Sequence, residues 1–130
     1  GIMERALPTV SAMHALDIVH MDLNLGNLLV EPNGTGIALI DFEYAPTRWL
    51  DDGQRYAFDY LKLLNDCIRP RRGGRQILAN ITRLIELLNT HVPPAARTAE
   101  ISPLLSELPR LNQNIELGLN LQSVFVKLSA

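Results

Sequence analysis

His20-x-Asp22 is followed five residues later by Asn27 and fourteen residues after that by Asp41. The set is an imidazole, two carboxylates and a carboxamide. A carboxylate beside a hydroxyl can orient it and accept its proton. A second carboxylate with an amide oxygen suits a hard cation such as Mg²⁺, which takes oxygen ligands and fills its shell with water and phosphate. Groups of this kind equip a site for phosphoryl transfer, where the protein mostly positions reactants and neutralises charge. The plainer account of the same residues is a hairpin whose Asx side chains cap its turns.

These residues need elements that bring them together. Leu28-Leu29-Val30 and Ile37-Ala38-Leu39-Ile40 are apolar runs of strand length, and Glu31-Pro32-Asn33-Gly34-Thr35-Gly36 between them is dense in turn residues. A hairpin here puts Asn27 and Asp41 at one open end, since one precedes the outgoing strand and the other follows the returning one. Upstream, Pro8 and Thr9 read as the opening of a helix that runs to about Asp17 with a ragged apolar face of Leu7, Val10, Met13, Ala15 and Leu16. Downstream, residues 54–68 read as a strong helix with apolar and aromatic side chains around most of its circumference, which marks a buried central helix. Asp59 lies among those aromatics, and a buried carboxylate there needs donors. A second helix is predicted over 76–90, broken by Pro93-Pro94, and a short one near 101–107, ended by Pro109. Residues 111–128 fit both a strand alternation and a helix stripe of Leu111, Ile115, Leu119, Gln122 and Val126; the helical context favours helix.

The chain has 130 residues, read as a single domain over 1–130, and a net charge of −2. Residues 1–66 hold ten acids against four bases, and residues 67–130 hold eight bases against four acids. Nothing global suggests nucleic acid, and an acidic half accepts a polyanion only after cations bind. The single cysteine, Cys67, cannot form an internal disulfide, and no apolar run reaches membrane-spanning length. A cytoplasmic protein with no membrane span is the expectation.

The string His20-x-Asp22-x-x-x-x-Asn27, with Leu39-Ile40-Asp41-Phe42-Glu43 after it, resembles the protein-kinase-like superfamily. It looks most like the small-molecule branch, the aminoglycoside phosphotransferases and choline/ethanolamine kinases, with Phe58-Asp59 matching a downstream Phe-Asp of the latter. Bacterial kinases acting on lipopolysaccharide core sugars are also similar, particularly across His20–Asn27. The resemblance covers about residues 18–61. It implies Asp22 as the catalytic-loop aspartate, Asn27 and Asp41 as Mg²⁺ and nucleotide ligands, and His20 as a loop histidine packed beneath the site. It also implies Asp59 as a central-helix aspartate accepting hydrogen bonds from catalytic-loop amides. ATP and Mg²⁺ are the implied cofactors and a small-molecule hydroxyl the implied acceptor. Glu43 is a supporting candidate, equally readable as a solvated loop acid. The implied fold is an α-rich α+β C-terminal lobe, helices around a central buried helix with one β-hairpin carrying the catalytic and metal residues.

The family places a β-rich nucleotide-binding lobe, with a glycine-rich cover and a strand lysine, before this region. Nineteen residues precede His20 and read as helix; Lys62 and Lys127 are the only lysines. The expectation is a C-terminal lobe without its N-terminal lobe, weak in catalysis by itself. It is either a piece of a longer kinase or a lobe completed by another chain. A second reading is a catalytically incompetent lobe that serves as a binding or scaffolding module. A third is anion or nucleic-acid binding by the Arg69–Arg75 loop, which otherwise reads as solvated. His14 and His91 read as ordinary surface or helix-face residues, Cys67 as a small core residue. Tyr56 and Tyr60, four apart on one helix, read as core packing ahead of an aromatic wall with Tyr44 and Trp49 for a quaternary ammonium.

Overall fold

The computed structural model describes residues 2–21, 23, 28–30, 37–39, 50–69 and 74–125. Asp22, Asn27, Asp41 and Glu43 lie outside the described residues, as do Tyr44, Trp49, Arg71 and Arg72. The described part is helical, with eight helices and one short pair of strands.

The chain opens with α1 (Ile2–Ala15). Met3, Ala6, Leu7, Val10, Met13 and His14 form its buried stripe. That stripe carries the helix through Pro8, so the helix begins six residues before the proline and not at it. Proline at this position removes the bond to the Glu4 carbonyl, a loss that costs about 3 kcal/mol in a helix interior. Both Pro8 and Glu4 lie on the exposed side of the helix. The end of α1 is a Schellman turn: Ile18 N–H donates to the Met13 carbonyl (3.3 Å) and Asp17 N–H to that of His14 (2.9 Å). Asp17 takes the left-handed position usually held by glycine, at φ 58°.

Strands β1 (Leu28–Val30) and β2 (Ile37–Leu39) pair antiparallel, Leu28 opposite Leu39 and Val30 opposite Ile37. The residues linking and flanking them lie outside the described set.

Helix α2 (Asp52–Cys67) is the centre of the domain. Ten of its sixteen residues are buried, too many for a surface helix. It packs against α1, α5, α6 and α7. Its start is set by a capping box: Asp51 Oδ1 accepts from Gln54 N–H (2.7 Å), and Gln54 Oε1 accepts from Asp51 N–H (3.2 Å). Gln54 also donates from Nε2 to the Glu100 carbonyl (3.1 Å), which ties this end to the C-terminal half.

The predicted helix over 76–90 is two helices, α3 (Gly74–Ala79) and α4 (Ile81–His91). Asn80 breaks it. Its backbone leaves the helical region at φ −136°, and its Oδ1 accepts from Arg83 N–H (3.1 Å), an N-cap that competes with helix continuation. Val92 and Pro93 then run extended, and Pro94 becomes the first residue of α5 (Pro94–Arg97). Arg97 Nε donates back to the Val92 carbonyl (2.9 Å) and its Nη2 to that of Asn89, serving carbonyls at the end of α4. The short helix near 101–107 is α6 (Ser102–Leu105).

Pro109 opens α7 (Pro109–Gln113) where a helix end was expected. Its N-terminal amides are served from afar: the buried Asn65 of α2 accepts from Arg110 N–H (3.0 Å) and Leu111 N–H (3.2 Å) through one Oδ1. The ambiguous last segment is helical, as α8 (Ile115–Val124), but its buried stripe is not the expected one. Leu117, Leu121, Val124 and Phe125 are buried, whereas Ile115 and Leu119 are 78% and 70% exposed. Asn114 is the reason. It ends α7, N-caps α8 by accepting from Leu117 N–H (3.0 Å), and so resets the helical phase after Leu111.

Candidate active site

Asp59 sits midway along α2 with no solvent exposure. A buried carboxylate is strongly unfavourable unless donors surround it. Here three do, and all come from outside α2. Oδ1 accepts from Met21 N–H (2.8 Å); Oδ2 accepts from His20 N–H (3.0 Å) and lies 2.7 Å from His14 Nε2. A carboxylate that accepts from two backbone amides is acceptor-only, so Nε2 of His14 carries a hydrogen toward it. The loop that follows α1 is thus pinned, by its main chain, to the middle of the central helix.

Met21 adopts φ 71°, a left-handed conformation that costs a non-glycine residue about 1–2 kcal/mol. The hydrogen bond from its N–H to Asp59 fixes the peptide ahead of it, and the buried Leu23 fixes the chain beyond it. Leu23, two residues on, is fully buried. Asp22 therefore has an anchored residue on each side, although its own placement lies outside the described residues. His20 is 1% exposed.

His14 is the residue that sequence reasoning missed. Far from lying on a surface, it is 5% exposed and wedged between two aromatic rings of α2. Its ring centroid is 4.6 Å from that of Tyr56 and 5.1 Å from that of Tyr60, the latter edge-on. Its Nδ1 is buried without a hydrogen-bond partner among the described residues. A signal was present in the sequence: residues 3, 7, 10 and 14 share one face of α1, and His14 is the polar member of an otherwise apolar stripe.

A second relay lies beside it. Ser11 has one hydroxyl hydrogen, which it donates to the His91 carbonyl (2.6 Å). Tyr60 must then be the donor in its 2.7 Å bond to Ser11 Oγ. The relay joins α1, α2 and α4. Burial pushes the Tyr60 phenol up to about 12, with the Asp59 charge acting in the same direction. Tyr56 is also raised, by desolvation first and then by its hydroxyl's 3.1 Å bond to Asp17 Oδ1. Next to that bond a cleft of about 280 Å³ opens, lined by Asp17, Val19, Asp52, Arg55 and Tyr56.

Of the predicted site residues, the structure brings His20 and Asp59 together. Asn27 and Asp41, the expected cation ligands, lie outside the described residues; a carboxamide and a carboxylate are oxygen donors of the kind Mg²⁺ takes. Among the described residues no three His, Cys, Asp or Glu side chains are grouped to hold a metal ion, and no helix is long and apolar enough to cross a membrane.

Neither the curated proteins nor the solved structures yield a match to this chain. A family model does. Residues 2–65, from the start of α1 through most of α2, match the Lipopolysaccharide kinase (Kdo/WaaP) family. Over that span, which holds the Asp59 clamp and every predicted site residue, the chain is similar to a kinase family, and the match points to a kinase-like phosphotransferase.

Proposed function

We propose that this chain carries the catalytic loop of an ATP- and Mg²⁺-dependent phosphotransferase acting on a small-molecule hydroxyl, with a sugar as the favoured acceptor. The observation that carries the reading is the Asp59 clamp. A buried carboxylate accepts from the amides of His20 and Met21, the two residues before Asp22, and the clamp lies inside the span that matches the Lipopolysaccharide kinase (Kdo/WaaP) family. The match favours lipopolysaccharide-type sugar kinases over the choline-kinase and aminoglycoside branches.

In this reading Asp22 orients the acceptor hydroxyl and takes its proton. The acceptor oxygen bonds to the γ-phosphorus as the bond to the β–γ bridging oxygen breaks, and ADP leaves. Asn27 and Asp41 hold Mg²⁺, which supplies charge neutralisation at the phosphates when bound. Asp59 touches no reactant; it sets the main chain from which Asp22 projects. The reading also treats the chain as the C-terminal lobe of the kinase-like fold, with the nucleotide's second wall supplied by an N-terminal lobe.

The test is thermal unfolding with and without ATP and MgCl₂. Ligand at a hundred times its Kd stabilises by about 2.7 kcal/mol, and the rise in Tm scales with that energy. The rise is expected in the native chain and absent in Asp41→Ala. An equal rise in both would put the nucleotide somewhere else and end the proposal.

A further inference from the structure

We propose that the cleft between the end of α1 and the first turn of α2 binds a small zwitterion, an amino acid whose ammonium lies at Asp17 and whose carboxylate lies at Arg55. The proposal does not rest on the phosphotransferase reading and uses none of its residues. The cleft, of about 280 Å³, carries charge of both signs on its walls, from Asp17, Asp52 and Arg55, with Val19 and Tyr56 completing the lining. Arg55 carries the inference. Its side chain is only 29% exposed, yet among the described residues its guanidinium makes no hydrogen bond. The carboxylate of Asp52 stands 3.9 Å from its Nη1, beyond hydrogen-bonding reach. A guanidinium is a planar fork whose N–H groups match the two oxygens of a carboxylate. Asp17 supplies the opposite charge. Its Oδ1 accepts from the Tyr56 hydroxyl (3.1 Å), which leaves Oδ2 for a further donor. The Tyr56 phenol is raised by desolvation, then by that bond, then by the charges of Asp17 and Asp52, so both carboxylates bear on this end of the cleft.

The walls stand in place before a ligand arrives. Asp17 sits in the Schellman turn, with its N–H on the His14 carbonyl (2.9 Å). Arg55 lies in the capped first turn of α2, with its N–H on the Asp51 carbonyl (3.0 Å). The Tyr56 ring packs on His14, centroids 4.6 Å apart. Such a site loses little entropy to ordering on binding. The charges then decide the class of ligand. A lone anion drawn to Arg55 meets Asp17 and Asp52, and a lone cation drawn to Asp17 meets Arg55; at short range the like charge cancels much of what the opposite one contributes. A molecule with both charges satisfies each wall. Drug-sized ligands take about 300–1,000 Å³, so the occupant is smaller, a chain of a few carbons.

The test is a titration of the whole chain followed by proton–nitrogen correlation spectra. Glycine, β-alanine and γ-aminobutyrate are the probes, against propionate and propylammonium. No nucleotide, acceptor or metal is needed, so its failure is separate from failure of the phosphotransferase reading. A saturable shift of the Asp17, Val19, Arg55 and Tyr56 amides is expected with at least one amino acid, at a Kd of about a millimolar, and neither single-charge probe should come within about tenfold of it. Asp17→Asn and Arg55→Gln should each weaken that binding by about tenfold, the worth of one charge-assisted hydrogen bond. Asparagine tolerates the left-handed backbone at residue 17. Should Asp17→Asn fail to fold all the same, Arg55→Gln and the comparison of probes still decide. No saturable shift with any amino acid, a single-charge probe that binds as tightly, or binding that survives either substitution would overturn the proposal.

Discussion

Asp59→Asn is the most informative single change, because it keeps the shape of the side chain and removes one acceptor. The native carboxylate serves three donors with two oxygens. An amide offers one oxygen and an NH₂. With its oxygen turned to Met21, its nitrogen faces His20 N–H; with its oxygen turned to His20, its nitrogen faces Met21 N–H. His14 can move its hydrogen to Nδ1 and accept from the new amide, but a main-chain N–H has no such freedom. One buried backbone donor is left opposing another donor in either rotamer. An unsatisfied buried donor costs about 1–3 kcal/mol, and each surviving bond loses roughly 1 kcal/mol with the charge. Relief of the buried charge's desolvation offsets part of this. The net loss expected is about 3 kcal/mol, a large share of the roughly 5–15 kcal/mol that holds a domain of this size. Urea unfolding followed by far-ultraviolet circular dichroism measures it directly, and Tm should fall by roughly 10 °C. A variant within about 0.5 kcal/mol of native would refute the clamp as an energetic element, since a change that small is usual for surface sites.

Other outcomes follow from single contacts. Tyr60 should make stability fall as pH rises from about 10 toward 12: its folded-state pKa is raised, so its contribution is fully present below the ordinary tyrosine value and is lost through the folded one. Tyr60→Phe should flatten that slope in unfolding measured across the range, at a cost near neutral pH of about 1 kcal/mol for the bond to Ser11. Asn65→Ala removes the remote cap of α7 and should cost about 1–2 kcal/mol by urea titration, with exchange of the Arg110 and Leu111 amides rising first. Gly74→Ala should destabilise by about 1–3 kcal/mol, because a Cβ there would fall 2.0 Å from the Ile68 carbonyl oxygen and the backbone must move; an unchanged midpoint would mean that the turn yields freely.

The parts of this fold that read well from sequence are those with a local period. Helix α2 announces itself through Phe58, Tyr60, Leu61, Leu63 and Leu64, and the span 54–68 lies within two residues of the observed one. The parts that did not read are those decided by side chains acting at a distance. His14 and Asp59 are 45 residues apart, Tyr60 and Ser11 49, and Ser11 and His91 80, and no window on the sequence contains both partners. Single asparagines caused two further misses. Asn80 and Asn114 each stop one helix and cap the next, so the apolar stripe on one side carries no information about its phase on the other. Of the site, Asp22, Asn27 and Asp41 were picked by residue type and spacing alone. What Asp59 does was implied by a family resemblance, and its third donor was not foreseen at all.

The clamp and the strain at Met21 act in opposite directions, and this links the stability of the domain to the direction of Asp22. A left-handed residue without a glycine's freedom relaxes to negative φ once its restraint is gone, recovering about 1–2 kcal/mol. The bonds on the His20 and Met21 amides fix the chain ahead of the Met21 torsion and the buried Leu23 fixes it beyond, so the native turn persists while both anchors hold. Rotation about φ of Met21 swings the peptide that joins it to Asp22, and with it the carboxylate that the proposed chemistry needs. Loss of Asp59 should therefore not act as a general destabilisation that leaves the remaining folded molecules fully competent. It should change the loop in molecules that are still folded, because α2 keeps its capping box and its packing against α5, α6 and α7 while the loop loses one of the two anchors on either side of Met21.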